Sequence, residues 1–292
     1  MKQSISMKIF QVFNVMLMLL LCTIMIYPYL NQLAISFNAS SDTMLGGVTI
    51  FPRVFTLDNY RTIFSDQSVG KAFAVSVSRT VACVVLAEFV TFSAAYALTR
   101  KNLLGRSFIT RMLAIPSYLH AGIIPVYIVY RYLGLINNFW VYVLPGVFSF
   151  YNMIIFRSFI QELPEALEES ALLDGANEFI VMTKIIFPLS LPVVATVALW
   201  IAVGQWNDWT SNMYYITNTN LNTLQYLIMK IIKQGEQLKA DMIMSGGDIV
   251  SKPTSEAVKA AMLIVTSVPI MCVYPFLQKY FVQGVTLGAV KG

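Results

Sequence analysis

The sequence predicts an all-α integral membrane protein with six transmembrane helices. Of its 292 residues, 57% are hydrophobic and only 12% are charged, whereas ordinary soluble domains carry about 25% charged residues. One soluble core of this size could not bury so much apolar surface, so we expect the bilayer to be the solvent. The apolar residues also group into six stretches, each able to supply the roughly 20 helical residues that cross a hydrocarbon core.

The six stretches follow one another along the chain, and we expect them to form one domain of residues 1–292. The predicted spans are residues 9–30, 71–99, 109–132, 139–160, 185–207 and 258–281. Several of them contain proline, which transmembrane helices tolerate because neighbouring helices satisfy the freed backbone carbonyls.

The first span could be mistaken for a signal peptide, since Lys2 and Lys8 precede an apolar run. That run covers residues 9–30 and is longer than the 7–15 residues of a signal core. Leu21 is also bulky where a lipoprotein-processing enzyme needs a small residue before Cys22. We therefore expect a retained span.

The charges of the short connections predict the orientation. Basic residues concentrate at the amino terminus and in the second connection, which holds Arg100, Lys101, Arg106 and Arg111. The positive-inside rule then favours a cytoplasmic amino terminus and, after six spans, a cytoplasmic carboxyl terminus. The segment 162–184 falls on the cytoplasmic side and the segment 208–257 outside, where apolar residues at helical spacing predict a helix over 221–239. The same rule accounts for the net charge of +5, so we expect no nucleic-acid partner.

The segment between the fourth and fifth spans predicts a short acidic helix at the membrane surface. Pro164 suits a first helical turn, and Glu165, Glu168 and Glu169 suit the positive end of the helix. Gly175 can adopt the left-handed conformation that ends a helix. The alternative is an interfacial helix resting on lipid, but such helices favour lysine and arginine. We expect the carboxylates to point away from the chain, toward a soluble partner.

The spacing within this segment resembles the cytoplasmic coupling loop of ATP-binding-cassette (ABC) importer permeases. The family pattern is E-A-A, three residues, G, nine residues, I, one residue, L-P. Here it becomes Glu169-Ser170-Ala171, Gly175, Ile185 and Phe187-Pro188, with every spacing kept, serine replacing an alanine and phenylalanine a leucine. The resemblance implies a type I importer permease fold, with a coupling helix that docks on an ATP-hydrolysing subunit. The implied coupling residues are Glu168, Glu169, Ser170, Ala171, Asp174, Gly175, Ile185 and Pro188.

Three further stretches are similar to carbohydrate-uptake permeases, and the last of them is similar to the branch that handles oligosaccharides and polysaccharide fragments. They are FPRVFTLDNY at 51–60, AAYALTR at 94–100 and the tail at 274–292. The resemblance implies a heterodimer with a second, homologous permease, two ATP-binding subunits and an extracytoplasmic sugar-binding protein in a bacterial plasma membrane. ATP and Mg²⁺ are then expected on the partner subunit, with no cofactor bound by this chain.

Motifs of common enzymes are absent from the sequence. It contains no G-x-x-x-x-G-K-[S/T] loop, no H-E-x-x-H and no G-x-S-x-G elbow, so we expect neither an enzyme nor a metal protein. The rival hypothesis is a gradient-driven secondary transporter. It would use Glu88 and Arg79 in the second span and His120 in the third.

Polar residues inside spans are the candidates for a substrate pathway. A charge at the centre of a span costs about 2.5–3.5 kcal/mol on insertion scales, so it usually faces a cavity or a partner. Aromatic rings beside amides suit sugars, although an aromatic belt at the outer interface remains an alternative. The candidates are Glu88, His120, Trp200, Gln205, Trp206, Asn207, Asp208 and Trp209.

Overall fold

The computed structural model describes residues 5–119, 121–233 and 256–289. Within these ranges the chain is almost entirely helical, and strand pairing is limited to one isolated bridge between Asn38 and Phe55. The α-helices are α1 (Ile5–Ser36), α2 (Ser40–Thr43), α3 (Asp58–Ser65), α4 (Gln67–Thr99), α5 (Arg106–Ala114), α6 (Ile123–Tyr132), α7 (Phe150–Glu162), α8 (Glu165–Leu173), α9 (Glu178–Val181), α10 (Phe187–Leu189), α11 (Leu191–Asn207), α12 (Thr210–Tyr215), α13 (224–233) and α14 (Glu256–Ala289). The prediction of an all-α membrane fold is confirmed.

Three helical stretches are long and apolar enough to cross a bilayer unaided: Met7–Ser36, Gln67–Thr99 and Glu256–Val273. The other three predicted spans are each broken into a bent pair of helical segments. Counting every bent pair as one span makes six, so the number of spans stays a prediction.

The breaks fall where the sequence places proline or glycine. The predicted span 109–132 consists of Arg106–Tyr118 and Ile123–Tyr132 at 119°, with Gly122 at φ 73° between them. The predicted span 139–160 is two 3-10 turns followed by α7, at 47°. Proline supplies no N–H and clashes with the preceding turn, which bends a helix.

The bend nearest the acidic segment is the one at Ser190. A π-helical turn, Met182–Ile186, leads into α10, and α11 then leaves at 82°. Pro188 and Pro192 lie on either side of this bend, each in the first turn of its helix. Residues 185–189 of the predicted fifth span lie before this bend, and the bounds of the span stay a prediction.

The chain divides into two compact units, Met1–Val69 with Ile228–Val268 and Gly70–Leu227 with Pro269–Gly292. In the first unit, a connection between α1 and α3 is organised by Asn38. Its Oδ1 accepts from the backbone N–H groups of Arg53 and Val54, at 2.8 and 2.9 Å. Its Nδ2 donates to Asp42 and Thr43.

The second unit is built around one face of α4. The buried residues of this face recur every three or four positions: Ala72, Ser76, Arg79, Cys83, Ala87, Thr91, Ala95 and Leu98. Most are small, which lets neighbouring helices approach closely. Near its carboxyl end, Phe92 packs edge-on against Phe156 of α7 and Phe187 of α10, with ring centroids 5.3 and 5.2 Å apart.

The outer helix predicted over 221–239 is present as α13 as far as the structure describes it. Leu224 and Ile228 of its apolar face are buried. Residues 234–239 lie outside the described residues, as do His120 and the end of the tail from residue 290.

Candidate functional site

The acidic segment forms the short helix α8, as predicted. Pro164 directly precedes the helix instead of lying in its first turn, and its φ of −60° sets the entry. At the other end, Gly175 has φ 86°. Its N–H donates to the carbonyl of Leu172, and the N–H of Ala176 donates to that of Ala171, both at 3.0 Å. This pair of bonds is the Schellman motif, which needs the left-handed glycine.

The two faces of α8 differ in exposure. Ala171 is buried in the core, and Glu168 is half-buried beneath the helix. The opposite face is open: Glu169, Ser170 and Asp174 are exposed, and Leu173 is 88% exposed. Glu169 forms no ion pair in the part of the chain that the structure describes. This open face has the residue types that a soluble partner could contact.

Glu168 is held by Arg100, which directly follows α4. The guanidinium of Arg100 donates to Oε2 of Glu168 and lies 3.7 Å from Oε2 of Glu178 in α9. The Tyr96 hydroxyl donates to the same Glu178 oxygen at 2.6 Å, and Arg100 stacks over the Tyr96 ring at 4.1 Å. These four residues, the Arg100 cluster, join the end of α4 to the two helices that follow α7.

Lys101 makes a second contact to α8. Its Nζ donates to Oε1 of Glu165 at 2.6 Å, and both side chains are exposed. This hydrogen bond raises the pKa of Lys101 and lowers the pKa of Glu165. The expectation that all the carboxylates of α8 point away from the chain is therefore wrong for Glu165 and Glu168. Their partners, Lys101 and Arg100, lie far from them in sequence, so the local pattern does not reveal these contacts.

The exit from α8 leads through the bend at Ser190. Asn177 caps α9, its Oδ1 accepting from the N–H of Ile180 at 2.9 Å. Ile185 is half-buried against the core of this unit, and Pro188 is exposed beside the bend. The coupling residues implied by the resemblance thus extend from the open face of α8 to α10, just before the bend.

A different arrangement surrounds Arg79, 21 residues earlier in α4. Its Nη2 donates to the backbone carbonyls of Gln205 and Asp208 and lies 3.4 Å from Oδ2 of Asp208. The guanidinium also lies 4.8 Å from the ring centroid of Tyr142. We call these four residues the Arg79 cluster. Arg79 is 1% exposed, so the cluster fixes α4 to the end of α11 inside the unit.

Asp208, a candidate pathway residue, is engaged within this cluster. Besides Arg79, its carboxylate accepts from the N–H and the hydroxyl of Thr210, at 3.0 and 2.6 Å, and from the N–H of Ser211 at 3.2 Å. Thr210 and Ser211 are the first two residues of α12. The geometry gives Asp208 a positioning role at the junction of α11 and α12.

The other candidates at the end of α11 fall into two groups. Trp206 is 8% exposed and packs edge-on against Phe73, with centroids 6.1 Å apart. Trp200 is 47% exposed beside Tyr151 of α7. Asn207 is exposed, Gln205 and Trp209 are half-buried, and Asn207 Nδ2 donates to the carbonyl of Val203 in its own helix. Trp200 and Asn207 are therefore accessible, whereas Trp206 contributes to packing.

Glu88 is buried in α4 at 7% exposure, and neither carboxylate oxygen has a hydrogen-bond partner among the described residues. It lies apart from the Arg79 cluster. The structure therefore does not bring Glu88 together with the other candidate pathway residues.

Sequence reasoning missed Tyr96, Arg100 and Glu178 as functional candidates. The signal was present in the AAYALTR stretch, where Tyr96 and Arg100 lie four residues apart on one helical face. An arginine at the end of a span, facing an acidic segment, is a candidate ion pair even without knowledge of the fold.

Comparison with known families gives one match of broad extent. The sequence model of the family described as "Binding-protein-dependent transport system inner membrane component" matches residues 84–287. Among curated relatives, protein LplC of Bacillus subtilis (strain 168) is 35% identical, over 98% of this chain and 96% of its own. The polygalacturonan/rhamnogalacturonan transport system permease protein YtcP of the same organism is 34% identical, over 94% and 96%.

Chains of two solved bacterial transporter structures share the fold of this chain. A chain of a bacterial ABC transporter involved in the import of the acidic polysaccharide alginate superposes with a TM-score of 0.85 at 25% identity. The match covers 96% of this chain and 99% of that one. A chain of a bacterial alginate ABC transporter in complex with an alginate pentasaccharide-bound periplasmic protein, 14% identical with a TM-score of 0.60, shares the fold.

Proposed function

Because this chain belongs to the family of binding-protein-dependent transport system inner membrane components, we propose that it is the permease subunit of an ATP-driven oligosaccharide importer. It forms half of the translocation pathway, and a second, homologous permease forms the other half. The relative named for polygalacturonan and rhamnogalacturonan and the alginate importer support a carbohydrate substrate. The family consists of transport permeases, which agrees with the absence of enzyme motifs in the sequence.

The observation that carries the proposal is the arrangement of α8. The helix is attached to α4 through the Arg100 cluster, and its other face is left open with Glu169 and Leu173 exposed. A helix attached on one side and open on the other can transmit a push from a soluble partner to the spans. We assign this role to residues 162–184, with Glu169 pairing to a basic residue of an ATP-hydrolysing subunit.

The proposed assembly contains two such ATP-binding subunits, each holding ATP and Mg²⁺, and an extracytoplasmic sugar-binding protein. The family description, which specifies dependence on a binding protein, supports the last of these. The expected location is a bacterial plasma membrane with both termini in the cytoplasm, which puts α8 on the side where ATP is available.

The test is charge reversal on the open face. Glu169→Lys places a cation opposite the basic residue that the partner subunit is expected to present. Repulsion between like charges at an interface costs several kcal/mol, and 1.4 kcal/mol is a factor of ten. We therefore expect at least tenfold less ATP-binding subunit to co-purify with the variant. Gln161→Lys, which adds a charge at the exposed end of α7, is the control and should retain the partner.

Normal co-purification and normal uptake by Glu169→Lys would remove the coupling role from α8. Uptake assays in proteoliposomes distinguish the proposed importer from the rival secondary transporter by the energy source that uptake requires. Uptake of labelled polygalacturonan fragments that needs no ATP and collapses with the ion gradient would favour that rival.

A further inference from the structure

A cleft lies beside the Arg100 cluster, and the charged residues described in its lining are all cationic. It has a volume of about 980 Å³ and lies between α5, α7 and the loop after α4. Its charged lining residues are Lys101, Arg106, Arg111 and Arg157. No carboxylate of the described residues lines it, although Lys101 forms an ion pair with Glu165 of the acidic helix α8.

Three of the four cations lack an acidic partner among the residues that the structure describes. Within the described residues, Arg106, Arg111 and Arg157 form no ion pair, and Arg111 Nε donates only to the carbonyl of Ser107 in its own helix. Arg106 lies close enough for its charge to act on Arg157. Like charges gathered in one cleft repel one another, so an anion between them would be stabilised.

The start of α5 adds neutral donors to the same cleft. Gly105 precedes the helix at φ 75° and offers no side-chain cap. The N–H groups of Ser107 and Phe108, both lining residues, donate to no described backbone or side-chain atom. Free N–H groups at a helix start favour anions. Arginine forks match the oxygens of a phosphate group.

An apolar surface adjoins the cleft. Phe108, Met112 and Ile115 recur at helical spacing and are each more than half exposed. A ligand with a phosphate and acyl chains fits this combination, because the phosphate can enter the cleft while the chains cover the apolar residues. Free phosphate or an acidic protein surface would leave those residues uncovered.

We propose that the cleft between α5 and α7 binds the phosphate of an anionic phospholipid headgroup through Arg106, Arg111 and Arg157. The site is separate from the open face of α8. Lys101 lines the cleft and also bonds to Glu165, so a bound headgroup lies next to the attachment of α8.

The test is lipid binding by the purified full-length chain, measured by native mass spectrometry after delipidation. Phosphatidylglycerol and phosphatidylcholine with identical acyl chains are compared, and inorganic phosphate is a third probe. We expect wild-type chain to retain phosphatidylglycerol at least tenfold more tightly than phosphatidylcholine. Arg106→Gln combined with Arg157→Gln should abolish that preference, whereas Lys8→Gln, which removes an exposed cation of α1, should keep it.

Binding of phosphatidylcholine provides the check on folding, since it should be equal in all three chains. If Arg106→Gln/Arg157→Gln binds neither lipid, Arg106→Lys with Arg157→Lys is measured instead and should keep part of the preference. Equal retention of the two lipids by wild type would overturn the proposal and leave the cations a topological role only. Binding of inorganic phosphate without any preference for phosphatidylglycerol would overturn the assignment to lipid.

Discussion

Arg79 of α4 and Arg100, which directly follows α4, both make long-range contacts but are bound in opposite ways. Arg79 is 1% exposed and donates mainly to backbone carbonyls at the junction of α11 and α12. Arg100 has a side chain 25% exposed; it donates to the carboxylate of Glu168 in α8 and forms a 3.7 Å ion pair with Glu178 in α9. A backbone carbonyl moves only when its helix moves, whereas a carboxylate can leave its partner by side-chain rotation.

This difference assigns distinct mechanical roles to the two arginines. The Arg79 cluster is a fixed anchor, because breaking it would leave buried carbonyls and a buried charge unpaired. The Arg100 cluster is an attachment that can loosen and re-form, which the proposed coupling of α8 to an ATP-hydrolysing subunit requires. Removing Arg79 should therefore damage the fold, while removing Arg100 should damage function.

The largest expected effect is the loss of Arg79. Arg79→Met leaves the carbonyls of Gln205 and Asp208 without their donor, and breaking a buried pair costs about 3–5 kcal/mol. We expect a clearly lowered melting temperature of the purified chain, followed by fluorescence. Arg61→Met is the matched control, because Arg61 forms an exposed pair with Asp58 and such pairs contribute about 0–1 kcal/mol. Equal melting temperatures for the two variants would contradict the anchor.

The second effect concerns Trp206, which packs near the Arg79 cluster. Replacing a buried large aromatic by alanine costs about 3–5 kcal/mol, less where the site can collapse. Trp206→Ala should therefore lower the melting temperature, whereas Trp200→Ala, at 47% exposure, should leave it nearly unchanged. If Trp206→Ala is fully stable but transports with weakened apparent affinity for its oligosaccharide, the packing role is wrong and Trp206 lines the pathway.

The third prediction concerns Arg100, whose loss should lower stability only modestly but impair transporter function strongly. Arg100→Ala removes the charge-assisted hydrogen bond to Glu168, a type of bond worth about 1.5–3 kcal/mol, and the ion pair with Glu178, but the partly exposed carboxylates regain water. We expect a modest fall in melting temperature together with at least tenfold less substrate-stimulated ATP hydrolysis by the assembled transporter. Lys71→Ala, which removes an exposed contact of α4 to Asn220, serves as the control.

A double-mutant cycle separates attachment from general damage. If Arg100 acts through Glu168, then Arg100→Ala and Glu168→Ala together should impair hydrolysis little more than either alone. Fully additive losses would show that the two residues act independently and would contradict the attachment.

Much of α8 could be predicted from local sequence, because its determinants are local. Gly175 takes the left-handed conformation expected of it, and the helix ends there. The destinations of Glu165 and Glu168 could not be predicted in this way, since Lys101 and Arg100 lie 64 and 68 positions away.

The same limit applies to the bends of the predicted spans and to the partners of buried polar residues. Hydropathy locates apolar stretches but not the 82° bend at Ser190, which depends on how Pro188, Pro192 and a π-helical turn combine. Buried polar residues were recognised as needing partners. That Arg79 would meet the carbonyl of Gln205, 126 positions away, depends on the tertiary fold alone.

The central claim is that the open face of α8 contacts the ATP-hydrolysing subunit, and site-specific photo-cross-linking tests it most directly. A photoreactive amino acid is placed at Ser170 or Leu173 on the open face, or at Ser68 near the start of α4, and the assembled transporter is irradiated. We predict cross-links to the ATP-binding subunit from positions 170 and 173 and none from position 68. An intact complex that gives no such cross-link from either α8 position would contradict the account.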